Sequence, residues 1–137
     1  MTQLQKTEYS IGLSQLSNWN KTTVIRTHYR LKPHTADKLV QKVISLVGIK
    51  AVFYSVENDT GVVDFTGTNL GINHLHLLLS YDNRFGTLSR QKLSKAMNTN
   101  VSSVLNIENI KGVKNVCGYV TKHLNSNYSH HNYFING

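Results

Sequence analysis

His74 and His76 flank a single leucine in residues 72–80, INHLHLLLS. Side chains of an extended strand alternate between faces, so both imidazoles point one way while Leu75, Leu77 and Leu79 point the other. Two imidazoles about 7 Å apart along one strand face can converge on a single divalent ion while the leucines pack beneath. Two polar residues on an open sheet face are the plainer account of an isolated His-x-His. The spacing alone does not choose between them.

A second group of reactive residues lies about forty positions on. Val113, Val116, Cys117, Val120 and Leu124 recur at helical spacing and form an apolar stripe in which Cys117 is inert packing. At about 100° per residue, Tyr119 falls roughly 120° from the middle of that stripe, at the edge of the packed face. His123 lies one turn further, and Lys122 points outward. Gly118 weakens the helix but leaves room for a close neighbour. Taken singly, Tyr119 is a rim residue with its hydroxyl in water, and Lys122 is an ordinary solvated lysine.

Taken together, in this order, the two groups resemble a known family. His74-Leu75-His76 on a hydrophobic strand, then a helix bearing Tyr119-Val120-Thr121-Lys122, is similar to the HUH endonuclease superfamily. The closest likeness is to the single-tyrosine rolling-circle replication initiators (Rep proteins) of plasmids and viruses, over roughly residues 22–124. The resemblance implies that the Tyr119 hydroxyl attacks a single-stranded DNA phosphodiester, giving a 5′-phosphotyrosine and a free 3′-OH. It implies His74 and His76 as ligands of Mg²⁺ or Mn²⁺, and Lys122 as the cation that favours the phenolate or contacts the phosphate. Glu57, ending the preceding strand, is the first candidate for a third ligand, since a carboxylate suits these hard cations. His123 is the alternative, because related single-tyrosine transposases take a ligand four residues after the tyrosine. Their usual residue there is glutamine, and they act as homodimers.

The elements that must carry these residues can be read along the chain. Residues 22–31 form a strand with Arg26, His28 and Arg30 on one face, and a helix begins with Thr35 as N-cap and ends at Gly48. Residues 49–57 are a second strand, 62–65 a short extra one, and 72–81 the histidine strand. A basic helix follows at 88–98, a strand at 104–110, and the tyrosine helix at 113–124. This order predicts an α+β fold, an RRM-like or ferredoxin-like antiparallel sheet of four or five strands. Two helices cover one face, and a C-terminal helix carries the catalytic tyrosine. Residues 1–137 are expected to form one domain, with 1–20 irregular and 125–137 a polar tail.

Composition bounds the partners. Fifteen Lys and Arg against seven acidic residues give a net charge of +8, which draws a small domain to a polyanion. Arg26, His28, Arg30, Arg84, Arg90, Lys92 and Lys95 are the expected DNA contacts. Tyr128, Tyr133 and Phe134, with His130 and His131, are available to stack bases. No phosphate-binding G-x-x-x-x-G-K-[ST] loop is present, so unwinding falls to a host or separate helicase. No run approaches the ~20 apolar residues of a membrane span, and the polar N-terminus is no signal peptide. A single cysteine suits the reducing cytoplasm of a host cell. A non-catalytic RRM-like module remains the alternative from another class; it would need aromatic residues on an open sheet face.

Overall fold

The structure, a computed structural model, describes residues 2–27, 29–57, 73–124 and 130–136. Among them lie four α-helices, α1 (Gln3–Ser14), α2 (Pro33–Ile44), α3 (Arg90–Met97) and α4 (Val113–His123). Five strands, β1 (Lys21–Thr27), β2 (Ile49–Glu57), β3 (Asn73–Tyr81), β4 (Glu108–Asn109) and β5 (His130–Ile135), form one open antiparallel sheet in the order β4-β1-β3-β2-β5. The chain is therefore α+β. None of these helices is long and apolar enough to cross a membrane. The extra strand expected at 62–65 falls outside the described residues.

Alternation along β3 sorts its side chains between two layers. Leu75, Leu77 and Leu79 join Ile25, Val52, Tyr54 and Val56 beneath α2 and α3, which contribute Val40, Val43, Leu93 and Met97. On the other face Leu78, Ala51 and Phe53 are sealed by Leu13 of α1, Trp19, and Val116, Val120 and Leu124 around α4. Full burial of a side chain such as Leu78 stabilises the fold by about 1.5–3 kcal/mol. The histidine face is thus a second core along the middle of its length, with cavities toward the end that carries His76 and toward the end at Ser80.

Two segments correct the sequence reading. Residues 1–20, expected to be irregular, contain α1, started by a reciprocal capping box between Thr2 and Gln5. Its inner face sets Ser10 and Ser14 beside Leu13: Ser10 Oγ lies 2.9 Å from Thr121 Oγ1, and Cys117 Sγ donates to Ser10 O. The expected polar tail, 125–137, contains β5, which pairs with the edge of β2 through six residues from His130 to Ile135. Edge pairing satisfies backbone groups of β2 that would otherwise be open, and Phe134 stacks on Tyr54. Two smaller shifts follow local chemistry. Pro33 occupies the first turn of α2, so the helix starts before Thr35, with Lys32 at the N-cap. The strand expected at 104–110 is reduced to Glu108–Asn109, with an isolated bridge from Val104 to Ile25.

Gly48 makes the tight entry into β2. Its φ is +96°, and an added Cβ would stand 2.7 Å from the Tyr81 ring. Its carbonyl also accepts the Asp82 N–H at 2.8 Å. Gly48→Ala is expected to destabilise the protein by about 2 kcal/mol, read as a lower urea midpoint. An unchanged midpoint would refute this account of the turn.

Candidate active site

Strand register builds the site. Glu57 of β2 and Arg26 of β1 lie directly across from His74, one on each side, and Ser55 and Val24 flank His76 in the next row. Directly opposed residues of an antiparallel pair share a face. Glu57, His74 and His76 therefore project together, with Glu57 Oε2 3.1 Å from His76 Nε2 and 3.6 Å from His74 Nδ1. The three residues offer ligand atoms all within 4.8 Å of one another. One carboxylate oxygen and two imidazole nitrogens can hold a divalent ion, and they leave positions for other ligands.

The electrostatics favour the ligand state of Glu57 and His76. Burial pushes the Glu57 carboxyl up, but hydrogen bonding and charge from His76 and His74 outweigh it and hold it below the ordinary value. Burial pushes the His76 imidazole down, against the pull of Glu57, and His74 and Lys122 push it further the same way. At neutral pH the result is a carboxylate beside a neutral imidazole, the forms that bind metal.

α4 brings the other reactive residues to the same place. Tyr119 is half-buried against the second core, and its hydroxyl donates to Leu77 O at 3.2 Å, on the strand backbone next to His76. The hydroxyl therefore reaches the sheet rather than standing in bulk water. Lys122, one turn on, is exposed. His76, Tyr119 and Lys122 line one cavity of about 520 Å³, closed by Thr22 and Val24 of β1 and by the segment around β4. No family model, curated protein or solved structure matches the chain.

The expected DNA contacts divide by layer. Arg26 is exposed on the site face, beside His74. Arg30 is exposed in the loop after β1, and His28 lies outside the described residues, as do Tyr128 and the side chain of His123. α3 packs Leu93 and Met97 into the opposite layer, so Arg90, Lys92 and Lys95 are not brought to the histidines. Arg90 is also occupied within the fold, donating to Val104 O at 2.6 Å and Val101 O at 3.0 Å. Arg84 is paired with Asp82 far along β3.

Some neighbours of the site carry no sequence signal. Ser55 sits between His76 and His131 in one cross-strand row, and His131 packs edge-on against Tyr9 of α1 at 5.3 Å. Asn106 and Glu108 line the cavity from the stretch read only as a strand, with no motif to mark them. Only the register and the path of the chain beside β1 place them there.

Proposed function

We propose that this protein is a metal-dependent, HUH-type endonuclease that nicks and rejoins single-stranded DNA through a phosphotyrosine, initiating rolling-circle replication of a plasmid or virus. The observation that carries the reading is the convergence of His76, Tyr119 and Lys122 on one cavity, with Glu57 and His74 clustered beside His76. The strand order β4-β1-β3-β2 supports an RRM-like core, because β1 and β2 are split by an antiparallel β3. The net charge of +8 suits a polyanionic substrate.

Glu57, His74 and His76 would hold the ion, Mg²⁺ or Mn²⁺, whose chemistry is to polarise a bound phosphate. Tyr119 supplies the nucleophile. Its oxygen bonds to phosphorus, the P–O3′ bond breaks, the phenolic proton is lost to solvent, and the departing 3′ oxygen takes up a proton. Attack by a 3′-OH on the phosphotyrosine reverses the step, so nicking and joining need no external energy source. Lys122 places its positive charge where it stabilises both the phenolate and the phosphate.

The test is direct. The protein is incubated with a randomised pool of single-stranded oligonucleotides and Mn²⁺, then run on a denaturing gel. A covalent protein–DNA band is expected, and its absence across the pool would remove the endonuclease reading.

A further inference from the structure

A second cavity, of about 610 Å³, adjoins the first at Ile110, which lines both. It lies toward the other end of β3, around Ser80 and Tyr81, and carries Lys50, Arg84 and Lys111. α4 runs between the two: Val113 and Val116 line the second cavity, Tyr119 and Lys122 the first. From Val113 to Tyr119 the helix advances about 9 Å, and from His76 to Ser80 the strand advances about 13 Å. That span suits a few nucleotides of extended single strand.

The charges along this path are uneven. Asp82 lines the second cavity, but its carboxylate is engaged by the Arg84 guanidinium at 2.6–3.0 Å and held down at a pKa of about 2. Among the described residues neither Lys50 nor Lys111 forms an ion pair, and both are exposed. The polar floor is satisfied internally: Ser17 Oγ donates to Ser80 Oγ, and Asn20 exchanges hydrogen bonds with the Tyr81 backbone. What remains for a ligand is the pair of lysines. Glu108, exposed in the first cavity, would repel a phosphate placed midway. A polyanion therefore fits with phosphates at the two ends and a sugar or base beside Glu108.

We propose that a single strand held at Tyr119 continues along α4 and places a further backbone phosphate between Lys50 and Lys111, at the far end of one continuous groove. The inference rests on the single-strand reading of the site. It directs the strand along α4, and it gives the expected contacts on α3 no part in holding it.

Binding without turnover isolates this claim. Fluorescence anisotropy in EDTA would compare oligothymidylates of about 4 and about 12 nucleotides, bracketing the site sizes of single-strand binders. The Lys50→Gln/Lys111→Gln protein is expected to lose on the order of tenfold in affinity for the longer oligomer, and less for the shorter. Its slope of log affinity against log salt should be shallower by about 0.7, the effect of one lost phosphate contact to a single strand. A melting temperature equal to wild type would confirm that both exposed lysines were removed without unfolding. If wild type forms the covalent adduct but the double variant binds the longer oligomer with unchanged affinity and slope, the extended groove is wrong and the nicking reading stands. If wild type forms no adduct, the nicking reading itself has failed.

Discussion

Replacing Tyr119 with phenylalanine removes one oxygen atom and is expected to abolish the covalent adduct while leaving the fold and single-strand binding close to wild type. The ring, packed against the second core, is retained in the variant. The lost hydrogen bond, to Leu77 O at 3.2 Å, leaves an acceptor still served by the Thr22 hydroxyl at 3.0 Å. Stability should therefore fall by no more than about 1 kcal/mol. Activity should fall at least about 10³-fold, because among the described residues no other tyrosine lines the cavity of His76. The two readouts must separate: a folded protein that binds DNA and forms no adduct. An adduct of undiminished yield from Tyr119→Phe would assign the chemistry to another tyrosine, of which Tyr29 is exposed and lies in the loop beyond Arg26.

How far the sequence foretold this arrangement differs element by element. β2 was legible because β-branched and aromatic residues dominate it, and β3 because a short leucine-rich run is closed by turn residues. The two-faced reading of β3 follows from strand geometry alone, and the split of its leucines and histidines between layers bears it out. α1 was not legible, although Thr2-x-x-Gln5 is a capping-box signature. Its packed face uses Ser10 and Ser14 beside Leu13, and serines do not register as an apolar stripe. β5 was hidden for a different reason. A six-residue edge strand of histidine, asparagine and aromatics has no clear alternation, and it forms because β2 offers an edge to pair with. The proximity of Glu57 to the histidines could be suspected, since it ends the preceding strand. Its register opposite His74 could not, because residues 58–72 separate the two strands in sequence and pairing is set in three dimensions. The same holds for Ser55 and His131, which lie in the row of His76 only once β2 and β5 are paired.

Loss of the metal wall is the second large effect, and it is expected to be shared by Glu57 and His76. In wild type, calorimetric titration with Mn²⁺ should show one site, and either Glu57→Ala or His76→Ala should weaken it by about 100-fold or more. His76→Ala should also remove adduct formation, since the same imidazole lines the tyrosine cavity. Protons compete for the same atoms, which fixes the direction with pH. His76 is held below its ordinary value of 6.5, so the folded protein favours the neutral ring. Its contribution to stability is present above pH 6.5 and is lost as pH falls through the lower folded value. Glu57 is held below its ordinary 4.5, so its contribution is present above that pH and is lost on further acidification. Metal-free protein should therefore lose stability in two steps as pH falls, and Mn²⁺ affinity should drop across the first of them. His76→Ala should shrink the first step, to which His131, also held low by burial, still contributes, and should weaken the second, because the hydrogen bond and charge of His76 help to hold Glu57 low. A Glu57→Ala protein that binds Mn²⁺ as tightly as wild type would place the third ligand elsewhere, with His123 the next residue to replace. A His76→Ala protein that does so would mean that the two imidazoles of INHLHLLLS share a strand face without sharing an ion.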